Sequence, residues 1–187
     1  MTNNWSLGLA VSGTLDFGAF AWAVRGHFVS VKVPLGMKLV SALSLLGFIS
    51  YLHEIGQAAD PNWRLVFAFC LQILAGGLFV WTCAATRAYR PEMAFSDARP
   101  TTLFSAGPYR IVRHPFYSSY ILFWLACSLA TTSIAVSVVT FILIVAYTAA
   151  ALQEQNFFLN SALRPQYEDY QKRTGLFWPR LQPWRQE

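Results

Sequence analysis

Charged residues are scarce in this 187-residue sequence, at 12% of the chain, while 55% of the residues are apolar. Ordinary soluble domains carry about 25% charged residues, so this composition excludes a typical soluble enzyme or binding domain. Several windows of about 18 or more residues contain almost no charge, which is long enough for a helix to cross a hydrocarbon core. The composition therefore predicts an integral membrane protein.

Residues that bind metals are also few. The three cysteines lie inside apolar stretches without metal-site or redox spacing, and the three histidines lie on separate segments. The motifs G-x-G-x-x-G and H-E-x-x-H and the phosphate-binding glycine loop are all missing from the sequence. The sequence therefore predicts buried small cysteine side chains and no metal centre.

Basic residues are missing ahead of the first apolar segment, which follows the opening letters MTNNW. A cleaved secretory signal carries positive charge in that place, so we expect a retained helix at 5–24. Two further spans are predicted at 35–52 and 63–86. Trp63 and Trp81 are 18 residues apart in the third span, about 27 Å of helix, as expected for residues at the two membrane interfaces.

Charge is missing altogether from 118–152, a run of 35 residues. One straight helix of that length would measure about 52 Å, which exceeds a bilayer. Its only polar cluster is Thr131, Thr132 and Ser133, so we predict that the run folds there into a helical hairpin. The fold class expected is all-α, a polytopic membrane protein of about five transmembrane helices.

The basic residues indicate an orientation for these five spans. With the amino terminus outside, 13 of the 14 Lys and Arg residues fall on the cytoplasmic side and only Arg64 falls outside, as the positive-inside rule requires. The loop 87–116 and the tail 153–187 are then both cytoplasmic. The net charge of +5 is accounted for by that membrane face, so no nucleic acid partner is expected. We expect a bacterial inner membrane rather than the endoplasmic reticulum.

The whole chain, 1–187, is predicted to form one membrane domain. Residues 1–86 supply three spans, and residues 87–187 supply a long loop, the hairpin and a tail. A loop of about 30 residues between spans is longer than usual, and long loops are often functional. The tail has an apolar face and a break at Pro165, which predicts a helix folded onto the membrane.

The polar string GPYRIVRHPFY occupies 107–117, directly before the apolar hairpin, and an acid and a Y-x-x-Y-x-x-R segment follow the hairpin. This arrangement resembles the isoprenylcysteine carboxyl methyltransferases and their phospholipid methyltransferase relatives, over roughly 101–179. The resemblance implies a small membrane enzyme that uses S-adenosylmethionine to methylate a lipophilic or membrane-delivered carboxyl, thiol or amine, with no metal. The partners implied are membrane lipid and a lipophilic or lipidated substrate.

The resemblance also implies which residues hold the cofactor and take part in the reaction. The cofactor-binding positions that it implies are Thr101, Thr102, Leu103, Phe104, Tyr109, His114, Pro115, Phe116, Tyr117 and Glu154. The catalytic positions that we assign are His114, Arg113 and Glu154. Aromatic rings here would stabilise a sulfonium by cation–π contact, and Glu154 would pair with the amino group of the methionine part.

Three departures from the family pattern qualify the resemblance. Ser119 stands where the family has glycine, and an ungapped alignment would put Gln155 rather than Glu154 at the position of the cofactor acid. The helix before the acid reads YTAAALQ and lacks the substrate-contacting arginine of the prenylcysteine enzymes. Prenylcysteine is therefore not the substrate that the sequence predicts.

Other interpretations of single residues stay open at this level. Arg110 and Arg113 are also typical positive-inside anchors, and His114 serves equally well as a proton acceptor or as a donor that fixes its loop. Asp16 is an acid within a span, and the sequence is equally compatible with a functional and a structural role for it. Gln72 is typical of a residue that makes a helix–helix hydrogen bond. Two alternatives for the whole chain are an NADPH-dependent reductase of the sterol-reductase type and a non-catalytic membrane scaffold.

Overall fold

The computed structural model describes residues 4–28, 33–57, 63–88, 91, 93–95 and 102–180. Its helices are α1 (Asn4–Gly26), α2 (Leu35–Ile55), α3 (Trp63–Ala85), α4 (Pro115–Thr131), α5 (Ile134–Leu159) and α6 (Arg164–Arg173). A short 3₁₀ helix, Gly107–Arg110, precedes α4. Within these residues there is no β-strand, only one isolated bridge. The all-α fold predicted from the sequence is confirmed.

Four of the helices, α1, α2, α3 and α5, are long and apolar enough to cross a membrane. Large apolar side chains on their outer faces are exposed, such as Leu15 and Phe141 at 69% each, as expected for surfaces in contact with lipid. The fifth helix of the bundle, α4, has 17 residues, or about 26 Å of helix. The chain is a multi-pass membrane protein.

The central element of the bundle is α4, which packs most extensively on α3 and also contacts α1, α2 and α5. Twelve of its 17 residues are buried. Two of these are the small residues Ser118 and Ser119, at 2% and 0% exposure, which allow helices to approach closely. The helix that follows the polar string is therefore surrounded by the other spans rather than by lipid.

The helical hairpin predicted within 118–152 is confirmed. Thr132 ends α4 in the left-handed backbone region, with φ of 54°, and α5 starts two residues later. The hydroxyl of Thr131 donates a hydrogen bond to the carbonyl of Cys127 at 3.0 Å, and the hydroxyls of Ser128 and Ser137 lie 2.8 Å apart across the turn. Hydrogen bonds from side-chain hydroxyls thus stabilise the turn, which has neither glycine nor proline.

Thr132→Gly is expected to stabilise the bundle, because a β-branched residue in the left-handed region costs about 1 kcal/mol that glycine avoids. Thermal unfolding in detergent should show a higher midpoint for this variant. The matched control is Thr131→Gly, where the backbone is helical and the same change should lower stability by about 1 kcal/mol, through lower helix propensity and loss of the hydrogen bonds of the hydroxyl. A lower midpoint for both variants would contradict the assignment of strain to Thr132.

A polar network joins α1, α2 and α3 inside the bundle. The hydroxyl of Ser12 donates to Oε1 of Gln72 at 2.5 Å, and Nε2 of Gln72 donates to the hydroxyl of Tyr51 at 3.0 Å. That hydroxyl donates in turn to the carbonyl of Leu9 at 2.9 Å. Gln72 thus makes the interhelical hydrogen bonds that its position in the third span predicts.

Asp16 lies one helical turn beyond Ser12 on α1. Ser12 bonds Gln72, so it does not supply the structural partner considered for Asp16, whose Oδ2 atom is buried without a hydrogen bond in the described part of the chain. A Cβ added at Gly76 of α3 would run into the Asp16 carboxyl group. The missing side chain at Gly76 therefore provides the space that Asp16 occupies.

Candidate functional site

The polar string begins with a tight approach to α3. Gly107 has φ of +57°, and a Cβ added there would lie 2.6 Å from the Cβ of Ala85, at the end of α3. Glycine is therefore required both by the backbone conformation and by the contact. The hydrogen bond of 2.8 Å between His27 and Thr86 brings the end of α1 to the same level. The string thus lies at the end of the bundle where α1, α3 and α5 finish and α2 and α4 begin.

The tail that follows α6 pairs with the polar string through its backbone. The amides of Arg113 and His114 donate to the carbonyls of Gly175 and Leu176 at 2.8 and 3.2 Å, and the amide of Gly175 donates to the carbonyl of Ile111 at 3.2 Å. The hydroxyl of Ser118 adds a bond of 2.8 Å to the carbonyl of Phe177. We call residues 174–178 the tail hook, since they hold the backbone of the string ahead of α4.

Arg113 stabilises the same connection through its side chain. Its Nη1 donates to the carbonyls of Gln171 and Thr174 at 3.3 and 2.5 Å, near the end of α6. A cation in this place also complements the negative end of the helix dipole. Burial lowers the pKa of Arg113 below its usual value. The hydrogen bonds of Arg113 therefore help to fix the position of α6. The same side chain also borders the cavity described below.

Three of the predicted site residues meet directly. Tyr117 donates a hydrogen bond through its hydroxyl to Oε1 of Glu154, and Nδ1 of His114 lies 3.4 Å from Oε2 of the same carboxylate. The rings of His114 and Tyr117 stack with centroids 5.5 Å apart. Nε2 of His114 is buried without a hydrogen bond among the described residues, while the Glu154 side chain is 38% exposed. The carboxylate therefore joins the start of α4 to the end of α5 and keeps an open side.

A cavity of about 870 Å³ begins at this cluster, near the upper end of the range for ligand sites. It brings together most of the positions that the resemblance implies: Thr102, Leu103, Phe104, Tyr109, Arg113, His114, Phe116, Tyr117 and Glu154. Pro115 does not line the cavity; it is buried in the first turn of α4. Thr101 lies outside the residues that the structure describes.

The structure distinguishes Glu154 from Gln155. Glu154 borders the cavity, whereas Gln155 is turned away and its Oε1 accepts a hydrogen bond of 2.7 Å from Gln171 of α6. The two side chains point differently because consecutive residues of a helix lie about 100° apart. The carboxylate, and not the amide, therefore faces the cavity. Ser119 does not border it; its hydroxyl donates to the carbonyl of Phe116 at 2.7 Å.

Tyrosines form much of the remaining wall, and the sequence identified only some of them. Tyr147 of α5 stacks on Tyr117 with centroids 5.9 Å apart. The hydroxyl of Tyr170 in α6 donates to the carbonyl of Tyr109 at 2.6 Å, and Tyr167 borders the cavity beside it. Burial raises the pKa of Tyr167 to about 12, and burial together with the charge of Glu154 raises that of Tyr109 further. These phenols are therefore neutral near pH 7.

The wall formed by α1 and α2 was not predicted. Phe17, Ala21 and Val24 of α1, with Val40 and Leu45 of α2, border the same cavity as Glu154. No motif marked these residues, because they look like ordinary positions of lipid-facing helices. The cavity thus extends from the polar string into the apolar bundle.

The geometry suits a cationic ligand with an apolar surround. A carboxylate favours positive charge, and the faces of nearby tyrosine rings favour it too. Within the described residues, no group of three or more His, Cys, Asp and Glu side chains lies close enough to hold a metal ion.

Comparison with known proteins places this architecture in a family. The family described as phospholipid methyltransferase matches residues 63–162, just over half of the chain. That range contains α3, the polar string, α4 and all of α5, but neither α1 nor α2.

Two curated bacterial relatives are also similar. The cobalt-zinc-cadmium resistance protein CzcN of Cupriavidus metallidurans is 35% identical over 152 residues, covering 72% of this chain and 68% of the relative. The nickel-cobalt-cadmium resistance protein NccN of Alcaligenes xylosoxydans xylosoxydans is 26% identical over 152 residues, which again cover 72% of this chain and 68% of the relative. Because the matched range exceeds half of its length, the chain belongs to the phospholipid methyltransferase family.

Proposed function

We propose that this protein is an S-adenosylmethionine-dependent methyltransferase that acts on a lipophilic or membrane-delivered acceptor. The observation that carries the proposal is the open carboxylate of Glu154, held by Tyr117 and His114 at the mouth of a cavity that continues into the bundle. Membership of the phospholipid methyltransferase family supports methyl transfer as the reaction class.

The described residues fit the proposed cofactor in charge, hydrogen bonding and aromatic surface. The open side of the Glu154 carboxylate would pair with the amino group, and the orphaned Nε2 of His114 offers a further hydrogen bond. The rings of Tyr117 and Tyr147, stacked 5.9 Å apart, would supply aromatic surface beside the sulfonium. When bound, S-adenosylmethionine supplies an electrophilic methyl group on a positively charged sulfur.

The protein's own contribution is alignment and exclusion of water. Methyl transfer from sulfur is an in-line displacement, so a rigid wall that fixes donor and acceptor lowers the entropic part of the barrier. Here α4 is surrounded by other helices and its start is fixed by the tail hook, which makes that wall rigid. His114 would orient Glu154, and an acceptor that needs deprotonation would find its imidazole at the same place.

We further propose that the site opens to the cytoplasm. The orientation rests on the basic residues, since among the described residues the end of the bundle that carries the polar string also carries every Lys and Arg except Arg64. On that side, a charged cofactor arrives from water while the acceptor arrives from lipid.

Calorimetric titration of the detergent-purified protein tests the proposal. We expect S-adenosylhomocysteine and S-adenosylmethionine to bind and NADPH to give no heat. Cobalt and zinc salts are included as titrants because of the relatives' names. Binding of NADPH alone would favour the reductase, and no binding of S-adenosylhomocysteine, S-adenosylmethionine or NADPH would favour a scaffold.

Two variants locate the binding within the cluster. Tyr117→Phe removes the hydroxyl that holds Glu154, and His114→Ala removes the stacked imidazole, so each is expected to weaken S-adenosylhomocysteine about fivefold. The matched controls are Tyr51→Phe in the network of α1–α3 and His53→Ala at the far end of α2. Equal affinity in the two variants and their controls would refute the assignment of the site.

A further inference from the structure

The first two helices are held apart by their packing partners. Helix α1 packs mainly on α3, and α2 packs mainly on α5, with little contact between α1 and α2 themselves. The cavity fills the space between them, and its walls there are mostly apolar: Phe17, Ala21, Val24, Val40, Ser41 and Leu45. An apolar surface of this kind can receive a hydrocarbon chain from the surrounding lipid by packing against it.

One cation stands at the edge of this apolar space. Arg25 lies in the last turn of α1 and borders the cavity. The rings of Phe28 and Phe116, 4.9 Å apart, fix the end of α1 against the start of α4, so Arg25 lies near the level of the cluster formed by Tyr117 and Glu154. The side chain of Arg25 is exposed, and it makes neither an ion pair nor a hydrogen bond with the residues that the structure describes.

The other charged groups of the cavity wall each have at least one protein partner, although Nε of Arg113 and Nε2 of His114 are buried without a hydrogen bond among the described residues. Arg113 donates to the carbonyls at the end of α6, and Glu154 accepts from Tyr117 and faces His114. Arg25 is therefore the charged side chain of the described cavity wall that is bound to no other described residue, and its whole guanidinium is available to a second ligand. An arginine in this setting attracts a carboxylate or a phosphate and repels an ammonium group.

We propose that the space between α1 and α2 binds the hydrocarbon part of an amphiphilic acceptor and that Arg25 binds its anionic group. The inference rests on the proposed function and names the substrate class of that site. It concerns residues outside the range that matches the family, 63–162, so it is a property of this chain's own amino-terminal helices. Arg25 is a specificity residue in this proposal and does not touch the transferred methyl group.

Photolabelling tests the proposal with defined probes. The full-length protein, in a non-ionic detergent and saturated with S-adenosylhomocysteine, is titrated with a long-chain fatty carboxylate that carries a diazirine in its chain. The matched fatty alcohol and fatty amine carry the same diazirine, and a phosphatidylglycerol with the same labelled acyl chain forms the fourth arm. Mass spectrometry locates the label, and the dependence of labelling on concentration gives the affinity.

We expect an anionic probe to label the cavity side of α1 and α2 and to bind about fivefold more tightly than the alcohol or the amine. Labelling by the free carboxylate identifies a fatty acid head, and labelling by the phospholipid identifies a headgroup phosphate; either supports the proposal. Arg25→Gln should remove the preference, and Arg25→Lys should keep most of it. Arg87→Gln is the control, since Arg87 is exposed nearby and does not border the cavity.

Three results would overturn the inference. They are equal labelling by amine and carboxylate, label confined to outward residues such as Leu15, and an Arg25→Gln variant that behaves like Arg87→Gln. Calorimetry with S-adenosylhomocysteine on the same samples tests the proposed function separately from the role of Arg25. If the unmodified protein does not bind S-adenosylhomocysteine, the proposed function is refuted. If it binds S-adenosylhomocysteine but is labelled without selectivity, only the role of Arg25 is refuted.

Discussion

Replacing Glu154 with alanine is expected to weaken S-adenosylhomocysteine binding by about thirtyfold, the largest effect of any single change in the cavity wall. A hydrogen bond to a charged group contributes about 1.5–3 kcal/mol, and each 1.4 kcal/mol is tenfold in affinity. The change would also leave the Tyr117 hydroxyl and the His114 imidazole without their shared acceptor. Calorimetry on the folded, monodisperse variant measures the loss.

Two further variants separate charge from shape at this position. Glu154→Gln keeps the size and the hydrogen-bonding oxygen but removes the charge, so an intermediate loss of affinity is expected. Glu168→Gln is the control, because Glu168 pairs with Arg164 on the exposed side of α6, at 2.7 Å, and does not border the cavity. Undiminished binding in Glu154→Ala would show that the carboxylate is not part of the cofactor site.

Gly175→Ala is expected to release the tail hook from the polar string. An added Cβ would run into the carbonyl oxygen of Trp178, which is backbone and cannot rotate away. The amide and carbonyl of Gly175 bond Ile111 and Arg113, so a shift at this residue moves the string as well. Overpacking of this kind costs about 1–3 kcal/mol.

Hydrogen exchange measures this release where it occurs. The amides of Arg113 and His114 should lose protection, and S-adenosylhomocysteine affinity should fall with them. Gly77→Ala is the matched control, since nothing lies within 4 Å of an added Cβ there and alanine is the better helix former. Unchanged protection of Arg113 and His114 in Gly175→Ala would mean that the hook is not what holds the string.

Much of the fold follows from the sequence because the bilayer imposes simple constraints. Apolar length fixes the spans to within a few residues, as in the predicted 35–52 and the observed Leu35–Ile55. The excess length of 118–152 required a break, and Thr132 provides it. The sequence does not reveal that α4 is the central helix, since a helix apolar on all sides looks the same in lipid and in protein.

The candidate site was predictable where its residues are close in sequence. His114 and Tyr117 are one turn apart at the start of α4, and the structure brings both to Glu154, which lies 37 residues beyond Tyr117 at the other end of the hairpin. The choice between Glu154 and Gln155 required the structure, because it depends on how α5 is rotated against α4 and α6. The contribution of α1 and α2 to the cavity was likewise invisible, since it depends on which helices pack together.

The sequence by itself determined that the chain crosses a membrane several times, that it folds back at Thr131–Ser133, and that its polar chemistry collects in one string and one tail. These properties are local, since they depend on hydropathy, length and chemical type along the chain. Only the tertiary structure decided that the tail hook pairs with the string, that Glu154 faces the cavity, and that Arg25 borders the same space. Those properties depend on helix rotation and on contacts between distant segments, which packing fixes and local sequence does not.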